Sequence, residues 1–464
     1  MEGESIQDMK SLHLIRIGLL AFYLLGFIVN SFVNIPFLLE IRAVAALIFF
    51  GCSFRLLKPL NAKICFSLLC IGLCLLTLRE NGFGFWGRAV VENAGIISLI
   101  LMVPLLGLIL RYAPYEEVIG NIATRYIRSE FGYYTTILLV VNLFSTLMSM
   151  AAVPFCYQLI RANATKYSKT ILAKALSRGF CANMLWCPNF ITVAVVLQYL
   201  NLSWNELAPT GFFFSLVALA LALVIEKFSL TRSDENEVRD AAPQPVETEL
   251  SQGELKYLYW LGLQILLVLL LVSFLSYSLG KNVFVTVPLV SLLFPLILAL
   301  LLRKLPMFWD GIEKYLTTTL PGMANEFMLF SAVGFFGFAL AGTTLAKSAI
   351  DNLLVYFSAY QSIIPLLIIW TVAGLSMIGI HPIITIPSLA ICLADTTLGM
   401  SNIQLAIPLM TGYIIYLILS PVSSMSMLIA GLLGRSVFDV SVRINLTYSV
   451  ALSISTVLIL KLLA

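Results

Sequence analysis

Four short polar clusters flank prolines inside otherwise apolar sequence. Around Pro154 stand Asn142, Ser145, Thr146 and Ser149; around Pro382 stand Ser376, His381 and Thr385, with Thr371 and Gly379 beside them. Asn183 precedes Cys187–Pro188–Asn189 and Thr192, and Ser420–Pro421 is followed by Ser423, Ser424 and Ser426. Proline lacks an N–H and clashes with the carbonyl one turn back, so each cluster predicts an interrupted helix. An interruption exposes N–H groups at the start of the next half-helix, whose partial positive charge suits an anion. It also frees carbonyls that, with the nearby side-chain oxygens, suit a dehydrated Na+. These clusters are the candidate substrate-binding residues, and Na+ near the same tips is the candidate ion. No other metal, no catalytic residue and no cofactor is expected.

Each residue also has a plainer explanation. Ser and Thr in membrane helices often bond their own backbone, and proline kinks often serve packing alone. His381 is one of two histidines. The other, His13, precedes the first apolar block and reads as surface. An ionisable side chain at membrane depth is a functional candidate by default, able to donate to a carboxylate or carry a coupling proton. No Asp or Glu falls within the four clusters, which disfavours a carboxylate proton relay.

Composition supplies the elements that must carry these clusters. Of 464 residues, 60% are hydrophobic and 11% charged, whereas soluble domains carry about a quarter charged. Apolar blocks such as Ile17–Val33, Tyr257–Leu279 and Val283–Leu302 are long enough to span the roughly 30 Å of hydrocarbon as helices. The fold class is therefore an all-α polytopic membrane protein. Ile17–Val33 has no small-residue cleavage site after it and reads as a span, not a signal peptide. The net charge of +4 is modest, and the basic residues sit beside spans, so nucleic acid is not an expected partner. The eight cysteines fall in apolar segments and read as reduced packing residues.

The stretch Ser229–Glu254 is charged, proline-containing and without apolar periodicity, and reads as a cytoplasmic linker over residues 229–255. It separates two halves that resemble each other. Ser149 precedes Pro154 as Ser376 precedes Pro382. Pro188 is followed by Ser203 and Glu206, and Pro421 by Ser436 and Asp439, at identical spacings of 15 and 18 residues. Each Ser-x-x-acid unit is a capping-box pattern that opens a helix. Pro104–Gly107 and Gly334–Gly337 hold comparable places upstream. Residues 133–160 and 362–391, each long and interrupted by proline and small polar residues, could each be one span or a re-entrant hairpin. Read as re-entrant hairpins, they leave six of the 28 Lys and Arg outside: Arg42, Arg79, Arg88, Lys281, Lys347 and Lys461. Read as single spans they would put more basic residues outside than inside, against the positive-inside bias. The expected organisation is a leading helix (1–38), a first repeat (39–228), the linker, and a second, inverted repeat (256–464). That gives about 11 transmembrane helices plus two hairpins. The N-terminus is expected to be cytoplasmic and the C-terminus external, in the cytoplasmic membrane. A loop over Arg161–Arg178 with five basic residues is expected inside.

The layout resembles the ion transporter superfamily, which includes divalent-anion/sodium symporters, arsenite permeases and the large membrane subunits of TRAP transporters. The resemblance covers about Leu39 to Ala464 as architecture. By motif it covers the regions Ser149–Pro154, Pro188–Glu206, Ser376–Pro382 and Pro421–Asp439. It implies inverted repeats with a re-entrant hairpin and a broken helix each, and solute movement by an elevator motion. The Ser-Asn-Thr signature of the divalent-anion symporters is absent from both tips, so substrate and ion ligands do not carry over. The resulting expectation is secondary transport of a small anionic solute coupled to Na+ or H+. Membrane lipid is the expected surround, and the layout is compatible with a homodimer. Two alternatives stand beside it: a translocase for a lipid-linked substrate, and a passive channel, for which no charge ring or carbonyl-filter motif is seen. Paired acids or a His/Cys metal cluster for a membrane enzyme are not visible.

Overall fold

The protein is described from a computed structural model covering residues 2–54, 57, 59–77, 83–127, 129–164, 167–233, 252–341, 363–378, 380–393 and 400–463. Among these residues there is no strand. Eight helices are long and apolar enough to cross a membrane, or nine when one bent pair counts as a span. Of the shorter apolar helices, Asn61–Thr77 falls outside the expected hairpins, while Ile364–Met377 and Pro382–Ile391 lie within the segment expected as the second hairpin; the eight include Glu130–Leu159, which overlaps the first. The chain is a multi-pass helical membrane protein.

It forms two compact units, and each draws on both halves of the sequence. Unit one comprises residues 1–108 and 275–353. It contains α1 (Glu2–Phe32), α2 (Leu38–Ser53), α3 (Pro59–Thr77), α4 (Phe83–Val91) and α5 (Ala94–Met102). Unit two comprises residues 109–274 and 354–464. Its first part carries α6 (Tyr115–Tyr126), α7 (Glu130–Met148), α8 (Ala152–Ala164), α9 (Lys169–Ala182), α10 (Ile191–Tyr199) and α11 (Trp204–Ser233). The boundary then falls inside α12 (Gln252–Leu279). Unit one resumes with α13 (Val283–Leu301), α14 (Leu305–Lys314) and α15 (Ala324–Ala341). Unit two ends with α16 (Ile364–Met377), α17 (Pro382–Leu393), α18 (Asn402–Leu419), α19 (Ser424–Leu433) and α20 (Ile444–Leu463).

In unit one α1 packs on α2, α2 on α4, and α3 along α15. Tyr23, Phe49 and Phe327 meet edge to face at 5.1 and 4.7 Å and tie α1, α2 and α15 into one core. In unit two α11 runs on through Ser233 and α12 opens at Gln252. Both ends of the expected linker are therefore helical, and residues 234–251 lie outside the described residues.

Segment Glu130–Leu159 qualifies by length and composition as a span, yet it does not run straight. Phe144 and Phe155 stack edge to face with ring centroids 4.9 Å apart, whereas eleven residues of continuous helix would separate them by about 16 Å. Tyr133, near the start of the segment, and Tyr167, beyond its end, stack at 4.5 Å, and the Tyr167 hydroxyl donates to the Ile127 carbonyl at 3.1 Å. The chain therefore turns back on itself. The reversal is at Ser149, which holds φ 50° and ψ −132°, a conformation unusual for a residue with a Cβ.

Candidate functional site

Unit two contains two helices interrupted near their middles, α9–α10 and α18–α19. Asn402, first residue of α18, donates Nδ2 to the carbonyl of Leu200, just past α10, at 2.9 Å. Lys169, first residue of α9, donates Nζ to the carbonyl of Leu433, last residue of α19, at 3.0 Å. Arg435 repeats that second contact by donating to Thr170 Oγ1 at 2.7 Å. Each broken helix thus begins where the other ends, and the two run antiparallel.

Each also lies tightly against an earlier helix of its own half. Gly179 on α9 faces the Leu138 backbone on α7, and Gly412 on α18 faces the Ile369 carbonyl on α16; a Cβ at either would collide. Both glycines stand nine residues before the prolines Pro188 and Pro421. A close helix contact therefore stands at the same spacing upstream of each break.

The first hairpin tip and the first break form one hydrogen-bonded cluster. Asn142 Nδ2 donates to Gly179 O at 3.0 Å. Ser145 and Thr146 bond back to the Asn142 carbonyl at 2.9 and 3.2 Å. Asn183 Nδ2 donates to that same carbonyl, to Ser145 Oγ at 2.7 Å and to Thr146 Oγ1 at 3.1 Å. Its Oδ1 is held in turn by the Trp186 indole at 3.1 Å, which fixes the amide with its N–H side toward the oxygens. Asn189 Nδ2 closes the cluster on Thr146 O at 2.6 Å. Ser149 caps α7, its N–H bonded to Ser145 O. Of the amides here, Asn183 carries the most bonds, and its place between tip and break was the signal in the sequence.

The second half is built differently. Ser376 bonds its own helix at Val372 O, 2.6 Å. His381 Nδ1 accepts from Ile383 N at 3.3 Å, and its ring lies 6.2 and 5.8 Å from those of Tyr413 and Tyr416 on α18. Pro382 is buried at the start of α17, and Gly379 lies outside the described residues. At the break, Ser420 Oγ accepts from Val422 N, beside Pro421. Ser423 is the N-cap of α19, accepting from Ser426 N at 3.1 Å and donating to Leu417 O at 2.6 Å. Those hydroxyls are therefore committed to backbone. Ser424 is exposed at the head of α19, apart from the buried Ser420 and Ser423. The capping box at Ser203–Glu206 forms, with Glu206 accepting from Ser203 N at 2.8 Å. In the second half Asp439 instead pairs with Arg443 at 3.3 Å.

Two candidate hydroxyls stand out because nothing satisfies them. Thr192 is fully buried in the first turn of α10, and Thr385 is buried in the first turn of α17; neither Oγ1 has a hydrogen-bond partner. The elements carrying them pack together. The start of α10 has no side-chain cap either.

A buried charged network lies outside the four polar clusters. Arg178 does not lie in a loop: α9 begins at Lys169, so Lys169, Lys174 and Arg178 are helical. Arg178 is 1% exposed and donates to Glu226 Oε2 at 3.2 Å, Tyr134 OH at 3.2 Å, Asn445 Oδ1 at 3.1 Å and Ile444 O at 2.8 Å. Its guanidinium also faces the Tyr448 ring at 5.0 Å. Lys174 meets the other Glu226 oxygen at 2.9 Å. The lone acid inside the apolar run Val224–Ile225–Glu226 was the available signal, since such a charge needs a partner.

No known family model matches the sequence, and no curated protein matches it. Among solved structures, the fold is similar to that of the YdaH transporter of Alcanivorax borkumensis, described as having an unusual topology. The TM-score is 0.56 at 15% identity, over 86% of this chain and 96% of that one. MtrF of Neisseria gonorrhoeae, from a class of antimetabolite efflux pumps, aligns less well, with a TM-score of 0.43 at 15% identity over 81% of this chain and 79% of that one. The chain shares the fold of a known membrane transporter.

Proposed function

We propose that this protein is a secondary active transporter that moves a small anionic solute across the cytoplasmic membrane, coupled to Na+ or H+. The carrying observation is the antiparallel pair of broken helices, with two buried, unsatisfied threonines on the packed elements α10 and α17. Interrupted helices at membrane depth persist where they line a site, and inverted repeats build such sites near the midplane. In this reading segments 133–160 and 362–391 are re-entrant hairpins, and the halves are inverted repeats of the ion transporter superfamily type. The uncapped start of α10 offers its N–H groups, and Thr192 and Thr385 their hydroxyls, to the anion.

Coupling acts at the tips. At the first tip the Asn183 and Asn189 amides fill the oxygen cluster, so Na+ there must displace an amide, which Trp186 resists. The second tip, with His381 beside two tyrosines, is the remaining place for an ion or a proton. Two compact units that each combine both halves are the bodies an elevator motion requires. The similarity in fold to a transporter accords with this reading.

The test is a thermal-melting screen of purified protein against carboxylates, inorganic oxyanions and nucleobases, with and without Na+. Stabilisation by one anion class, lost in Thr192→Val, is expected. No protection by any small solute, with protection by a polyprenyl phosphate, would replace this reading with a lipid-linked translocase.

A further inference from the structure

Unit one carries two adjoining cavities that solute transport leaves unused. The first, about 510 Å³, lies where α1 ends and α2 begins, and Asn30, Asn34, Glu40 and Arg88 give it its polar lining. The second, about 420 Å³, continues between α2 and α4. Glu40 lines both. Beyond Glu40, the second cavity is walled by apolar side chains such as Val44, Leu47, Phe50 and Trp86, with one exception. The exception is Ser331, which is buried and whose hydroxyl has no hydrogen-bond partner.

The order of these surfaces follows the order of a lipid. α1 carries an apolar span ending at Phe32, so the α1–α2 junction is at a membrane boundary and α2 leads back from it. From Glu40 to Phe50 is ten residues of helix, about 15 Å. That is half of the roughly 30 Å hydrocarbon thickness, the depth of one leaflet. Val44 and Leu47 are half exposed on this face, so a chain can enter from the side.

The charges choose the headgroup. Glu40 and Arg88 line one cavity, yet neither has an ion-pair partner among the described residues. An acid and a base held apart across a pocket complement a zwitterion of matching separation. The Asn30 and Asn34 amides add donors for phosphate oxygens and acceptors for ammonium N–H groups. A trimethylated amine has no N–H to give, so a primary amine fits better. An acyl chain gains little by leaving lipid for a groove of the same polarity. Selectivity must therefore reside in the head pocket, while the groove sets orientation.

We propose that unit one holds a zwitterionic glycerophospholipid with a primary-amine head: its phosphate at Arg88, its ammonium at Glu40, and one acyl chain in the α2–α4 groove. Ser331 lies within reach of the groove to bond an ester or hydroxyl oxygen of that molecule.

The test uses full-length protein, delipidated and then exposed to equal amounts of phosphatidylethanolamine, phosphatidylglycerol and phosphatidylcholine. Lipid retained after detergent washing is measured by mass spectrometry. Wild type is expected to retain phosphatidylethanolamine at least fivefold over the other two. Arg88→Gln should lower retention of all three several-fold, and Glu40→Gln should erase the preference while keeping total retention. Leu47→Trp, which fills the groove, should abolish retention while leaving thermal melting and solute binding unchanged. Retention in proportion to the mixture, or equal retention of phosphatidylcholine, would overturn the proposal. If Leu47→Trp dissociates an oligomer with lipid retention unaltered, the groove seats a second copy of the chain and the proposal fails.

Discussion

Asn402 donates its side-chain amide to the carbonyl of Leu200, so the second broken helix starts at the point where the first one stops. With Lys169 on Leu433 at the opposite ends, the two cross the same layer in opposite directions. In a background lacking native cysteines, the pairs Leu200→Cys with Asn402→Cys and Thr170→Cys with Arg435→Cys should each cross-link with a short reagent. The pair Thr170→Cys with Leu200→Cys, at opposite ends of one broken helix, should not. Cross-linking of that third pair in place of the first two would dissolve the antiparallel arrangement.

Thr192 and Thr385 separate a binding role from a structural one. Because neither hydroxyl has a partner, replacement by the isosteric valine removes no internal hydrogen bond and relieves a buried polar group. Thr192→Val and Thr385→Val should melt no lower than wild type, yet weaken solute binding about tenfold, or roughly 1.4 kcal/mol. Unchanged binding would make both hydroxyls packing groups.

Asn183→Ala should behave in the opposite way. It removes one of three side-chain donors to the Asn142 carbonyl, takes a donor from two buried hydroxyls, and leaves the Trp186 indole N–H without its acceptor. A loss of about 1–3 kcal/mol in unfolding free energy follows, chiefly from the indole N–H left without a partner. Detergent-phase denaturation reads it, and an unshifted transition would show the tip is not held by this amide.

The Arg178–Glu226 pair joins α9 to α11 and, through Tyr134 and Asn445, to α7 and α20. Glu226→Gln leaves a buried guanidinium without its counter-charge and should cost about 3–5 kcal/mol. The double change Arg178→Met with Glu226→Leu should recover most of that loss, because it buries no charge. Lys174, partly exposed, can swing its ammonium toward water. Equal destabilisation in single and double variants would mean the bonds to Asn445 and Ile444 carry the stability.

Much of this arrangement is readable in the residues. Apolar block length implies the membrane class, and the prolines at 188 and 421 mark both breaks at the positions where α10 and α19 follow. The spacing that matches Ser203 with Ser436 locates two helix starts, but only Ser203 closes a capping box. Asp439 lies in a π-helical turn, Asp439–Arg443, where a closer Arg443 competes for it. Positive charge near a span end points Lys174 and Arg178 toward water. Their partner Glu226 is 48 residues beyond Arg178, and periodicity within one helix carries no information about a contact at that separation. The backbone bonds of Ser423 and Ser376 are equally out of reach, since a hydroxyl beside a proline looks the same whether it caps a helix or meets a ligand.

The most direct measurement is uptake of the stabilising solute into proteoliposomes under an imposed Na+ or pH gradient. Accumulation above the external concentration is expected, collapsing when an ionophore dissipates the driving gradient and slowed by Thr192→Val. Identical rates with and without a gradient, or no uptake of any small anion alongside movement of a lipid-linked substrate, would contradict the account.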